Sequence, residues 1–188
     1  MGDHEEDILA GLFAIEYGEH DLMVYDDIEV FGKIYSKYCK HLLDIKNQVV
    51  LLLIFSEDED TILFNLKKEG IDVDRRRKDG SLLIEDAALD FFGSKFGMFH
   101  YFSRLVDYSK SIRKDGLAII LDINALYLLE DKGGEELLKF ESSLAQRNYQ
   151  YLKNSLLLCC YHIAVVGKLR DNRQRIMDCH DKIFHILI

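Results

Sequence analysis

The chain has 188 residues, of which 48% are hydrophobic and 30% are charged, so it contains enough apolar material for a folded core. Its 24 Lys and Arg residues against 33 Asp and Glu give a net charge of −9, which argues against direct nucleic-acid binding and against an anionic membrane surface as partners. The four cysteines form no CxxC pair, so reduced thiols in a cytoplasmic protein are expected rather than a disulfide framework. No apolar run is long enough to predict a membrane-spanning helix.

Six short apolar segments are predicted to be strands. They are His20–Tyr25, Gln48–Phe55, Ser81–Asp86, Leu117–Ile123, Ser155–His162 and, with the weakest pattern, Lys182–Ile188. The run from Val49 to Phe55 is apolar on both faces, as expected for a parallel strand covered by helices on each side.

Helical spacing fills the intervals between these strands. The expected helices cover about Glu5 to Tyr17, Asp26–Ile45, Glu57–Glu69, a stretch lined from Met98 to Ile112, another from Leu137 to Tyr149, and a weaker Arg170–Asp181. The alternation predicts an α/β protein, a three-layer sandwich with a mostly parallel central sheet. Residues 1–19 are expected to form an N-terminal helical extension and residues 20–188 the main domain.

The turn after the first predicted strand is acidic. Val24-Tyr25-Asp26-Asp27-Ile28-Glu29 places three carboxylates where a phosphate-binding loop needs glycines, a lysine and a Ser or Thr. Acids at a helix N-terminus repel phosphate and compete with it for the same backbone donors. Neither GxxxxGK[ST] nor a GxGxxG after a strand occurs in the sequence. These features argue against ordinary nucleotide hydrolysis.

Two further acids stand out by position. Asp122 follows an apolar strand, which is the pattern of a magnesium-positioning strand in a phosphate-loop ATPase and also of an Asp that caps the next turn. Glu141 shares a helical stripe with Leu138 and Ala145. A carboxylate on an apolar face must be paired or hydrogen-bonded, so Glu141 is either a ligand-facing acid or a group bonded locally.

The fifth predicted strand carries two adjacent thiols. Strand alternation puts Cys160 and His162 on one face and Cys159 on the other. Cys160 and His162 offer two metal ligands, but the remaining candidates, His20 and His180, are distant in sequence. A buried structural thiol is the simpler interpretation, and neither a metal site nor a cofactor is predicted. A Cys–His nucleophile lacks a local signature.

Two segments have an open interpretation. The basic run Arg75–Lys78 is expected to be a solvated connecting loop, with anion binding as the alternative. The aromatic stretch from Phe91 to Phe102, interrupted by Gly93 and Gly97, is either core or a mobile apolar lid over a pocket.

Several short segments of the sequence occur in the same order as in one known protein family. They are His20 at the start and Tyr25-Asp26-Asp27 at the end of the first strand, Lys68-Glu69-Gly70-Ile71-Asp72-Val73, Lys78-Asp79-Gly80-Ser81-Leu82, Phe140-Glu141, Cys160-Tyr161 and His180. In this order they resemble the MEDS domain (methanogen/methylotroph, DcmR sensory domain), a relative of the RecA/KaiC-type phosphate-loop fold. The chain departs from the family pattern at Leu121-Asp122-Ile123-Asn124.

The resemblance implies a RecA-like topology without a functional phosphate loop. It further implies a non-catalytic sensory or regulatory domain for a small apolar ligand, coupled to a partner such as a histidine kinase or a transcription regulator. The expected ligand-binding residues are His20, Tyr25, Asp26, Asp122, Glu141, Cys160 and Tyr161.

Three alternatives remain open at this point. The chain could be a degenerate nucleotide-binding protein that holds ATP without hydrolysing it, or an enzyme that uses Cys160 or His162. The N-terminal helix, with apolar residues from Ile8 to Ile15, is a candidate contact for a partner or a second copy, or packs on its own domain.

Overall fold

The computed structural model describes residues 2–85, 95–122, 124, 134–145 and 153–187. The strands are β1 (His20–Tyr25), β2 (Val49–Leu53), β3 (Leu82–Ile84), β4 (Leu117–Asp122), β5 (Ser155–His162) and β6 (Ile183–Ile186). The helices are α1 (Gly2–Phe13), α2 (Ile28–Asp44), α3 (Glu59–Lys68), α4 (Val73–Lys78), α5 (Lys95–Ser111), α6 (Glu135–Ala145), α7 (Ile163–Lys168) and α8 (Asn172–Met177).

The described strands form a six-stranded sheet in the order β3-β2-β4-β5-β1-β6, and each neighbouring pair is parallel. The predicted bounds of β1 and β5 are confirmed, β2, β3 and β6 are shorter than expected, and β4 matches its prediction over the described residues. β2 ends at Leu53 because its pairing with β4 ends there, opposite Leu121. The α/β fold class is therefore confirmed, with a parallel sheet.

Helices cover both faces of the sheet, which makes three layers. On one face, Met23, Tyr25 and Cys160 belong to a buried cluster with residues of α1, α2 and α3. On the other face, Leu22 and Cys159 belong to a second cluster with residues of α5, α6, α7 and α8. The strand alternation thus sends adjacent side chains into two separate cores.

Helix α1 packs on its own domain. Leu12 and Ile15 are 0% and 1% exposed and belong to the cluster that contains α2. The ring of Phe13 stacks on His41 with centroids 4.1 Å apart. The apolar face of α1 is therefore covered within this chain, which answers the alternative that the sequence left open.

The basic run was wrongly expected to be a loop. It forms α4, because Asp72 caps the helix by accepting a hydrogen bond from the backbone N–H of Arg75 at 3.1 Å. Arg76 pairs with Asp44, and Arg77 pairs with Glu59, which is 2.8 Å away. These two cations are therefore engaged with carboxylates of neighbouring helices.

The aromatic stretch is described only in part. Phe91, Phe92 and Gly93 lie outside the described residues, whereas Phe102 is buried against the sheet in the second cluster. Among the helices that the structure describes, none combines the length and apolarity needed to cross a membrane.

Candidate functional site

The connection between β1 and α2 consists of only two residues, Asp26 and Asp27. Asp27 is extended and caps α2, and its Oδ1 accepts hydrogen bonds from the backbone N–H of Glu29 at 2.8 Å and of Val30 at 3.0 Å. The backbone donors that would face a phosphate therefore already bind a carboxylate of the chain itself. This turn provides no cradle for phosphoryl groups.

The carboxyl ends of β1, β4 and β5 share a hydrogen-bond network. The hydroxyl of Tyr25 accepts from the Asn124 amide at 2.7 Å, and Asn124 Oδ1 accepts from the backbone N–H of His162 at 2.8 Å. Asp122 is 0% exposed and accepts from the backbone N–H of Ser56 at 2.9 Å and of Asn124 at 3.0 Å. Burial raises the pKa of Asp122, although these hydrogen bonds counteract it. Asp122 thus caps the turn that follows β4, which is one of its two predicted roles.

Asp26 joins this network through its backbone, because its carbonyl oxygen lies 3.2 Å from Nε2 of His162. Nδ1 of the same ring accepts from the backbone N–H of Ala164 at 3.1 Å and so caps α7. Cys160 is fully buried, and burial together with nearby Asp122 raises the pKa of its thiol well above the ordinary value. A thiol held in its neutral form and a capping imidazole give no support to a Cys160–His162 nucleophile.

A cleft of about 590 Å³ opens beside the strand ends, between α2 and α3. Its lining includes Ile28, Lys33, Ser56, Glu57 and Phe64. Burial raises the pKa of Glu57 above its usual range. Of the seven residues predicted to bind a ligand, none belongs to this lining.

A second cluster of polar groups lies on the opposite face of the sheet, under α6 and α8. It is formed by His20 at the start of β1, Cys159 in β5, Glu141 in α6 and His180 in the turn between α8 and β6. One ligand-type atom from each residue lies within 4.8 Å of the other three. The side chains of Glu141 and His180 are 0% exposed, and that of His20 is 6% exposed.

The carboxylate of Glu141 is the centre of this cluster. Its Oε2 lies 3.1 Å from Nε2 of His20, 3.4 Å from Nε2 of His180 and 3.8 Å from the sulfur of Cys159. Nε2 of His20 is also 3.3 Å from that sulfur. The other carboxylate oxygen, Oε1, accepts a hydrogen bond from the hydroxyl of Tyr161.

Backbone carbonyls fix the orientation of both imidazole rings. Nδ1 of His20 lies 3.1 Å from the carbonyl oxygen of Cys179, and Nδ1 of His180 lies 2.8 Å from that of Ile176. A carbonyl only accepts hydrogen bonds, so both Nδ1 atoms carry a proton and both Nε2 atoms point into the cluster.

The electrostatics of the cluster are dominated by burial and by the histidines. Burial alone would raise the pKa of Glu141, but His180 and His20 outweigh it, so this pKa lies well below its usual range. Burial lowers the pKa of His180, and Glu141 more than reverses that effect. For the thiol of Cys159, burial and Glu141 act together and raise the pKa. Without any bound ion, Glu141 and His180 therefore form a buried carboxylate–imidazolium pair.

The predicted ligand set is divided between these two places. His20, Glu141 and Tyr161 meet under α6, whereas Tyr25, Asp26 and Asp122 lie at the carboxyl ends of the strands. His20 and Tyr25 are the first and last residues of β1, so the two places are separated by roughly 16 Å of strand.

Cys160, which the sequence offered as a metal ligand together with His162, belongs to neither group. Cys160 packs in the core on the α2 side, with its sulfur 3.8 Å from the carbonyl oxygen of Leu158. Cys159 is the thiol that joins the histidines. Strand alternation had already placed Cys159 on the face opposite Cys160 and His162, and this was the available signal.

No protein-family model and no curated protein matches the chain. Among solved structures, its fold is similar to that of a KaiC-like protein from the hyperthermophilic archaeon Pyrococcus horikoshii OT3, with a TM-score of 0.65. The fold is RecA/KaiC-like. The two chains are 12% identical, and the match covers 92% of this chain and 73% of the archaeal one. At this level of identity the likeness shows the fold alone.

Proposed function

We propose that this chain is a non-catalytic sensory or regulatory domain built on a RecA/KaiC-like fold. The observation that carries the proposal is the acidic two-residue turn between β1 and α2. Asp27 occupies the helix N-terminus that would otherwise contact phosphate, so the scaffold is kept while the groups needed for nucleotide hydrolysis are replaced.

The resemblance to the MEDS domain supports a role in signal transduction or transcriptional control. In that role the domain responds to a small apolar molecule and passes the signal to a partner such as a histidine kinase or a transcription regulator. Ligand binding shifts the population between two conformers, and the partner responds to the favoured one.

We assign the ligand to the cleft between α2 and α3. The position agrees with the rule that ligands of open α/β sheets bind beyond the carboxyl ends of the strands. Phe64 and Ile28 are 64% and 38% exposed there and offer apolar surface. Lys33 and Glu57 stand beside them as groups that orient a polar end of the ligand.

Substitution of Phe64 tests the cleft. We expect Phe64→Asp to lose a retained small molecule in native mass spectrometry, or to lose most binding of an apolar fluorescent probe. Ile45→Asp is the matched control, because Ile45 is 72% exposed and does not line the cleft. Equal losses in both variants, or in neither, would contradict the assignment to the cleft.

The alternative is a protein that binds ATP without hydrolysing it. The position of Asp122 at the end of β4, and the likeness to a KaiC-like protein, make this the second candidate. Titration of the full chain with labelled ATP and Mg²⁺ separates the two. Absence of micromolar binding supports the sensory proposal, and a saturable micromolar isotherm replaces it with nucleotide binding.

A further inference from the structure

We propose that His20, Glu141, Cys159 and His180 bind one divalent transition-metal ion, with zinc as the ion that this donor set favours. Two imidazole nitrogens, a thiolate and a carboxylate are all zinc ligands, and thiolate disfavours calcium and magnesium. The inference is independent of the proposed ligand cleft, which lies on the other face of the sheet.

Four of the six distances between the donor atoms are close to the edges of a coordination tetrahedron, and the other two are within 4.8 Å. Zinc–ligand bond lengths imply edges of about 3.3 Å between nitrogen and oxygen and about 3.5 Å where sulfur is one of the donors. The two nitrogen–oxygen distances from Glu141 Oε2 are 3.1 Å and 3.4 Å. The sulfur of Cys159 lies 3.3 Å from His20 Nε2 and 3.8 Å from Glu141 Oε2. Glu141, His20 and Cys159 therefore already have the mutual spacing of zinc ligands, and His180 lies within 4.8 Å of each of them.

The groups around the donors are those that orient metal ligands. Metal-bound histidines commonly donate their other ring N–H to a carbonyl or carboxylate, as His20 does to Cys179 and His180 does to Ile176. Tyr161 binds one oxygen of Glu141 and leaves Oε2 directed at the histidines.

A buried donor without an aligned hydrogen bond gives a further indication of a ligand. Nε2 of His180 is buried and makes no hydrogen bond within the described part of the chain, because Glu141 Oε2, 3.4 Å away, is close enough for an ion pair but not aligned for a hydrogen bond. A buried polar atom without a hydrogen bond is destabilising, so native structures seldom leave one. A metal ion placed between Nε2 and Glu141 Oε2 would satisfy it.

The charge balance also suits a divalent cation. A zinc ion with one thiolate, one carboxylate and two neutral imidazoles has no net charge, which a buried site requires. With four protein donors the site is closed, which is the pattern of a structural rather than a catalytic zinc. Such an ion would fasten α6 and the turn before β6 to strands β1 and β5.

The test compares two adjacent cysteines that are equally buried. The untagged full chain is incubated with excess zinc, passed through gel filtration and assayed for metal by mass spectrometry. We expect about one equivalent of zinc in the wild type and in Cys160→Ala, and at least a tenfold loss in Cys159→Ala. Wild type without zinc, or Cys159→Ala with as much zinc as the wild type, would overturn the site.

Cobalt substitution keeps the test decisive if Cys159→Ala does not fold. Cobalt(II) in a tetrahedral site with a thiolate ligand gives intense visible bands and a sulfur-to-metal charge-transfer band. In Cys160→Ala these bands should saturate at one equivalent of cobalt and disappear on adding zinc. A spectrum of hexa-aquo cobalt alone would mean that the cluster is a metal-free hydrogen-bond network.

Discussion

Substitution of Leu12 by Ala tests whether helix α1 is part of the domain core. Leu12 is 0% exposed and packs in the cluster that contains α2 and the sheet. Leu→Ala at a fully buried position costs roughly 2–5 kcal/mol, from lost transfer free energy and from the cavity that remains. Helix α1 is an outer layer and can shift inward to fill part of the cavity that the substitution leaves. We therefore expect the free energy of unfolding to fall by about 3 kcal/mol, within that range.

Urea unfolding followed by circular dichroism measures this loss. With an m-value of about 2 kcal/mol/M, a loss of about 3 kcal/mol lowers the midpoint by about 1.5 M. Ile45→Ala is the control, since Ile45 is 72% exposed and its truncation should change stability by less than about 0.5 kcal/mol. A Leu12→Ala loss below about 1 kcal/mol would refute the argument and make α1 a dispensable extension.

Three further predictions follow from single observations. Asp21 is buried with both carboxylate oxygens unpartnered in the described residues, and burial raises its pKa to about 7. The native state therefore keeps a proton that the unfolded state loses above pH 4, so stability falls as pH rises from about 4 to 7. Asp21→Asn should remove that fall and raise the free energy of unfolding at pH 8 by about 2 kcal/mol, after allowance for solvent screening. Equal dependence of stability on pH in the two proteins would contradict this prediction. Asp27→Ala should cost about 1 kcal/mol through loss of the helix cap, whereas Asp27→Asn should stay near wild type; equal effects of both would argue against the cap. Gly116→Ala should cost about 1–3 kcal/mol, since its Cβ would lie 2.7 Å from the carbonyl oxygen of Asn154, while Gly167→Ala, which meets nothing within 4 Å, should be neutral or stabilising in thermal melts.

The cleft between α2 and α3 and the cluster around Glu141 are suited to different functions. The cleft between α2 and α3 is open to solvent and about half of its lining surface is apolar, so it suits a ligand that binds reversibly. The cluster around Glu141 is closed and built from donors on separate elements, so it suits an ion that holds the fold together. Ligand exchange at one place therefore need not disturb the other.

Local patterns were enough to predict most of the sheet and the missing phosphate loop. The apolar runs of β1 and β5 and the acidic turn at Asp26-Asp27 are short-range features, in which neighbouring residues decide the conformation. The prediction that the basic run before Asp79 forms a loop was wrong, and the reason is equally local. Asp72 is a helix cap, and capping outweighs the repulsion between the arginines that follow it.

The composition of the buried cluster depended on tertiary contacts. Alternation along β5 separated Cys159 from Cys160 in the sequence, but only the position of α6 decided which face meets Glu141. His20 and His180 meet because β6 pairs in parallel with β1, which brings the turn before β6 to the start of β1. The centroids of their rings lie 4.2 Å apart.

The sequence determined which segments become strands and that the turn after β1 cannot bind phosphate, because hydrophobic period and capping act between near neighbours. The order of strands decided which distant side chains share a site, because that proximity exists only once the sheet has formed.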